Sequence, residues 1–402
     1  MPSHFPLAGV RVLELGIWVA APATGSLLAD WGASVTKIES PAGGDPLRGI
    51  VLPGMEAGAN PWFDSLNRGK RSISVDLRNP AGRRLTDRLL SQTDVFIINI
   101  QSDAACRLGM DPETVRAAHP RLIYCRITGY GPRGADANRP SFDGGAFWAR
   151  SGFMATMALQ GGEPPTQPVG IGDLSTGMAA AGAIAAALFK RERSGEGALV
   201  DISLYRTGIY VMGWNIAGCL RNVPPISAIS RRAVTNALYN IYQAGDGVYF
   251  FLTNNVPDPY WPGLCAAIDR PDLVGDPRFA DFYSRGQHSA ELVLLLDEIF
   301  ATRTRAEWGK RFDAHGVIWA EAQTVPEITA DPQAAENNAW ISVSDRAGHT
   351  VRMPAGPADF DGMNSPVTEA SPEPGEHTEQ VLLDLGYSWE NIAALKEGGA
   401  IP

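Results

Sequence analysis

The sequence predicts an α/β chain in two domains, the large one built on an open, mainly parallel sheet and the smaller one α+β in character. Three observations carry that expectation. Short apolar, β-branched runs alternate with stretches of helical composition through the first half of the chain. Its 402 residues exceed what one small core organises. Near residue 222 the alternation gives way to hairpin signals. Strands that alternate with helices imply parallel pairing, because a parallel connection must cross back over the sheet and a helix is its usual crossover.

Residues 10–15 (VRVLEL) read as the first strand, the loop GIWVAA follows, and 22–31 read as a helix that Gly32 stops. Residues 35–39 form the second strand. A helix over 80–91, an apolar strand over 94–100, a helix over 112–118 and a strand over 122–128 repeat the order. Residues 173–192 have helical composition. Their basic turn KRERSGEG complements the carboxyl-terminal end of the helix dipole, Gly195 ends the helix, and a strand over 199–204 follows. Together these make a Rossmann-like sheet with helical cover.

From about 222, VPPISAIS reads as a linker and ALYNIYQAGDGVYFFLTNN as a hairpin turning at Gly245, Asp246 and Gly247. The large domain is therefore expected over 1–221 and the small one over 222–325, with helices over 290–301 and 305–315. The return segment, 326–402, holds a second hairpin turning at Ala347 and Gly348. Two amphipathic helices in GEHTEQVLLDLGYSWENIAALKEGGAI are expected to pack back on the large domain.

A net charge of -10 argues against a general nucleic-acid binder, which needs a basic surface to displace counterions. Cys106, Cys125, Cys219 and Cys265 are widely spaced and form no CxxC pair, so neither a disulfide framework nor a zinc knuckle is expected, and a reducing cytoplasm fits. No basic start precedes a long apolar run at the amino terminus. The Ala-rich run 178–189 is too short to span a bilayer and reads as a buried helix. The histidines form no HExxH or clustered set, and no metal is expected.

The sharpest local feature is GIGDLSTGMAAAGAIAAALFKR, where Asp173 stands between a glycine-rich approach and a long apolar helix. One reading makes Asp173 a helix cap with no chemical role. The other makes it a nucleophile: the helix dipole keeps the carboxylate ionised, while Gly170, Gly172 and Gly177 give a bulky ligand access. The two readings are compatible.

Several separated segments resemble the class III CoA-transferases, the family named for carnitine and bile-acid-inducible members. They are PLAGVRVLELG, LLADWGASVTKIESPAGGDPLR, LNRGKRSISVDLRNPAGR, LGMDPETVRAAHPRLIYCRITGYGPRG, IGDLSTGMAAAGAIAAALFKRERSGEGALVDISLY and GEHTEQVLLDLGYS. The resemblance implies that coenzyme A and acyl-CoA are substrates and that Asp173 is the catalytic aspartate. It implies aspartyl anhydride and aspartyl-CoA thioester intermediates, and an interlocked homodimer. It points to the loop 17–21, with Val19 and Ala20, as a CoA contact region. Lys70 and Arg71 in LNRGKRSI are further candidates as cations for phosphates, and Asn99 ends an apolar strand where ligands approach an open parallel sheet, with Arg107 in a helix-like segment shortly after it.

Acyl-CoA racemases of the same family need a histidine before an aspartate in the segment matching RPSFDGGAF. Here Phe142 takes the histidine position and Asp143 is kept, so one proton carrier is missing and transfer is favoured over racemisation. Ser40 stands where some members carry an arginine, with Arg48 as a nearby substitute. The glycine run that shields intermediates in formyl-CoA transferase has no counterpart. Phe142, Phe147, Trp148 and Met154 are expected to wall an acyl pocket suited to an acid of moderate size. A nicotinamide enzyme is disfavoured, since GIWVAAP supplies one glycine where a dinucleotide turn uses three. Retention of Asp173 likewise argues against a silent scaffold.

Overall fold

The computed structural model describes residues 4–51, 60–345 and 348–402, in two compact units. The first comprises Met1–Thr156, Pro165–Ile226 and Gln333–Pro402, and the second Met157–Pro164 and Ser227–Pro332. The divisions thus fall a few residues beyond 222 and 325. The linker stays with the first unit because the Asn215 side chain exchanges hydrogen bonds with both the N–H (2.8 Å) and the carbonyl (3.2 Å) of Ile226. Glu327 stays with the second through its bond to Arg305.

The first unit holds six parallel strands: β1 Arg11–Leu15, β2 Ser34–Glu39, β3 Arg71–Ser74, β4 Val95–Ile98, β5 Ile123–Thr128 and β6 Ala198–Ser203, in the order β3-β2-β1-β4-β5-β6. Helices α1 Ala20–Asp30, α2 Pro61–Asn67, α3 Pro80–Leu90, α4 Ser102–Leu108, α5 Pro112–Ala118, α6 Phe153–Thr156, α7 Ile171–Ser194, α8 Leu204–Val211 and α9 Gly213–Cys219 complete its first two segments. The sequence reading lacked β3, whose RSIS is too short and polar to signal a strand by itself.

Alternation along the strands divides the core. Val12, Val95, Ile97, Ile123 and Cys125 join side chains of α1 and α7. Leu13, Phe96, Ile98 and Tyr124, one position along, join α3, α5 and the carboxyl-terminal helices. By length and composition α7 suffices to cross a bilayer, yet Ala180, Ala181, Ile184 and Leu188 are packed in this core. Gly177 lets α7 approach α1 closely, since a Cβ there would sit 2.8 Å from Ala23 Cβ and 3.2 Å from the Ala20 carbonyl.

In the second unit, Tyr239–Gln243, Tyr249–Thr253 and Trp319–Glu321 form an antiparallel sheet around the expected hairpin, with Gly247 at φ +82° in its turn. Phe250, Phe300, Trp308 and Phe312 fill its core. In the return segment Trp340–Ser344 pairs with Thr350–Pro354. Of that hairpin's expected turn, Ala347 lies outside the described residues, while Gly348 has φ +82°. Helices Thr378–Asp384 and Trp389–Glu397 bury Val381, Leu382 and Ile392 against the sheet, and the chain ends with Ala400 and Ile401 buried. The Asp76 N–H donates to the Ala400 carbonyl at 2.9 Å, and the Asn79 amide to that of Gly398 at 2.7 Å.

Candidate active site

Strand order reverses between β1 and β4, and in open parallel sheets the crevice at the carboxyl ends of such strands is the usual ligand site. Asn99, just beyond β4, bridges that point: its side chain accepts from the Ile17 N–H (3.0 Å) and donates to the Ile17 carbonyl (2.7 Å). The next residue, Trp18, has φ +65°, a conformation that costs a non-glycine residue about 1–2 kcal/mol. Its N–H donates to Asp45 at 3.0 Å, and its indole meets the Phe142 ring edge-to-face at 5.5 Å.

Asp173 enters from the other side. The helix begins at Ile171, two residues earlier than expected, with Gly170 at φ +79° as its cap. Asp173 therefore lies inside the first turn, and the capping role is overturned. Among the described residues its carboxylate has no hydrogen-bond partner. Burial, helped by the charge of Asp143, pushes its pKa up to about 7. That outweighs the helix dipole, so the fully ionised carboxylate expected from the sequence is corrected to one near its midpoint at neutral pH.

Asp143 is 9% exposed, and its Oδ2 has no hydrogen-bond partner among the described residues. It precedes a π-helical turn, Gly144–Ala149, which seats Phe147 against Gly172; a Cβ on that glycine would sit 2.5 Å from the ring. Gly172 and Gly177 thus serve packing rather than ligand access. A cavity of about 250 Å³ opens beside Asp173, lined by Ile17, Trp18, Ala20, Asn99, Ser102, Thr128, Asn138, Arg139, Ser141 and Phe142, with Ile127 and Leu204 as aliphatic wall.

Of the expected site residues, Asp173, Asn99, Ala20 and Phe142 meet at this cavity. Val19 precedes α1 beside it without lining it. Lys70 is withdrawn: its ammonium is fully buried and bonded to Glu14 (2.7 Å), the Pro22 carbonyl (2.9 Å) and Asn67 (3.1 Å), which leaves nothing for a phosphate. Burial lowers its pKa to about 8. Arg71 opens β3 at the sheet's opposite, amino-terminal end, where it pairs with Asp384 at 3.0 Å.

Arg107 is exposed in the last turn of α4 and lies outside the cavity lining. Trp148 and Met154 likewise leave the pocket wall. Trp148 is buried, stacks on Phe153 and donates to the Pro165 carbonyl at 2.9 Å, while Met154 packs in the same cluster. Arg48 is held by Glu39, Nη2 to Oε1 at 2.7 Å. Arg139 was missed by sequence reasoning. The loop around it gave no element signal, and it was given no role although it opens the segment RPSFDGGAF.

Cinnamoyl-CoA:phenyllactate CoA-transferase of Clostridium sporogenes is 31% identical to this chain over 396 residues, covering 97% of the chain and 96% of the relative. (R)-2-hydroxy-4-methylpentanoate CoA-transferase of Clostridioides difficile is 30% identical over 401 residues, covering 98% and 99%. The crystal structure of a CAIB/BAIF family protein from Brucella suis matches 95% of this chain and 100% of its own, with a TM-score of 0.85 at 30% identity. The model of CoA-transferase family III matches residues 7–378. With that span, full-length relatives and a shared fold, the chain belongs to CoA-transferase family III and is an enzyme that acts as a CoA-transferase.

Proposed function

We propose that this enzyme moves coenzyme A from an acyl-CoA to a free carboxylic acid with Asp173 as covalent relay. The observation that carries the reading is a carboxylate without hydrogen-bond partners among the described residues, facing a cavity at the sheet's switch point. An Asp173 oxygen attacks the donor thioester carbonyl, the C–S bond breaks, and CoA thiolate leaves a mixed anhydride. The thiolate then attacks the aspartyl carbonyl and expels the donor carboxylate, giving an aspartyl-CoA thioester. The acceptor carboxylate attacks that thioester and expels the thiolate again. Attack of the thiolate on the acceptor's acyl carbonyl yields the new acyl-CoA and frees Asp173.

Each step exchanges one activated acyl group for another, so the site must chiefly exclude water. Backbone amides of the first turn of α7 are suited to stabilise the developing oxyanions. Ala20 and Asn99 stand where CoA enters, and Arg139 adds a cation at the cavity rim for its phosphates. Phe142, Ile127 and Leu204 favour an acid of moderate size, branched, aromatic or dicarboxylic, in keeping with the phenyllactate and 2-hydroxy-4-methylpentanoate named for two relatives. Phe142 carries no proton, which disfavours racemisation.

A cytoplasmic, interlocked homodimer completes the reading; the apolar surface of α8 and α9 supports the dimer, with Tyr210 85% and Trp214 93% exposed. The test is incubation with a panel of acyl-CoA donors and acids followed by intact-mass and peptide analysis. The expected adduct, CoA or acyl, maps to the peptide holding Asp173. Asp173→Ala is expected to abolish exchange while the protein stays folded. Rapid α-proton exchange without CoA transfer would overturn the reading in favour of a racemase.

A further inference from the structure

Beneath the first loop lie four charged side chains with no exposed surface or nearly none: Glu14, Lys37, Asp45 and Lys70. Lys37 Nζ is 2.9 Å from Glu14 Oε1 and 2.9 Å from Asp45 Oδ2, and Lys70 Nζ is 2.7 Å from Glu14 Oε2. Removing four charges from water is costly, and well-packed apolar side chains usually serve stability at least as well. The cluster's outward bonds indicate another purpose. Lys37 donates to the Gly16 carbonyl (2.5 Å), Lys70 to the Pro22 carbonyl (2.9 Å), and Asp45 accepts from the Trp18 N–H (3.0 Å). They converge on the segment that carries the left-handed Trp18 and starts α1.

We propose that this cluster is a positioning device for the active site, in which Asp45, itself held by Lys37, fixes Trp18 at positive φ so that its indole walls the cavity against Phe142. Such backbone strain persists only where the surroundings over-determine it. Here Asp45 Oδ1 binds the Trp18 N–H and the Leu47 N–H (3.0 Å each), its own N–H donates to Glu39 at 3.0 Å, and Asn99 pins Ile17 from the far side. Asp45 thus acts on CoA binding through Trp18 without touching the substrate. The inference rests on the cavity beside Asp173 being the CoA site.

The test is a calorimetric titration of free coenzyme A into wild type, Asp45→Asn, Trp18→Ala and the double variant, each verified as folded by circular dichroism. Asp45→Asn and Trp18→Ala are each expected to weaken binding about tenfold. The double variant is expected to lie within about twofold of Trp18→Ala, because residues acting through one another do not add. Trp18→Phe, which keeps an aromatic wall, should stay within about threefold of wild type. Multiplied losses near a hundredfold, or wild-type affinity in Trp18→Ala or in Asp45→Asn, would overturn the proposal. Should Asp45→Asn not fold, Asp45→Glu takes its place in the same cycle. A wild type that binds no CoA at all would instead sink the site reading beneath it.

Discussion

In the proposed relay Asp173 meets two demands that oppose one another: attack would need the anion, while burial and Asp143 favour the acid, with a pKa of about 7. Ionisation therefore rises as pH climbs through 7, and the rate of transfer at limiting substrate is expected to fall about tenfold per unit below it. Asp143→Asn removes a neighbouring negative charge and should move that acid limb to lower pH, as a pH profile of kcat/KM would show. Because the folded pKa stands above the ordinary 3.8, the carboxylate costs stability progressively from about pH 4 to 7 and fully above 7. Asp173→Asn should stabilise the protein by on the order of 1–2 kcal/mol at pH 8, after allowance for partial solvent screening, and by little at pH 4.5. Chemical denaturation at the two pH values checks this. At this scale the sequence singled out Asp173 and Phe142, which the fold brings to one cavity. It did not show that Lys70 is buried, because a basic run reads the same whether it faces solvent or pairs with a glutamate 56 residues away.

Between elements, the α1–α7 contact holds both walls of the site, and Gly177 sets its distance. Gly177→Val places branched carbons against the α1 backbone and is expected to cost about 1–3 kcal/mol, with loss of transfer activity, measured by urea unfolding and by assay of the same preparation. Strands β1, β2, β4, β5 and β6 and helices α1, α3, α5 and α7 were legible within a few residues, because a parallel sheet covered by helices on both faces writes short apolar runs between helical stretches. Strand β3, α2 and the π-helical turn were not. They are short, and tertiary contacts rather than local propensity hold them, as Ser72 does by bonding Glu39 at 2.6 Å.

For the whole molecule, the exposed aromatic surface of α8 and α9 is expected to be covered by a second copy. Trp214→Asp should yield monomer by analytical ultracentrifugation, together with reduced transfer activity; a wild type that sediments as an active monomer would contradict the homodimer. The parallel sheet and a separate antiparallel unit were readable from the change of pattern near 222, whereas the exact division was not, since it depends on the side-chain grip of Asn215 on Ile226. The buried residues 400 and 401 carry one last consequence. The bond from the Asp76 N–H to the Ala400 carbonyl and the neighbouring Asn79–Gly398 bond hold them at the β3 edge, so a frameshift or protease nick that removes residues 398–402 is expected to unstopper the interior there, read as an earlier midpoint in urea unfolding.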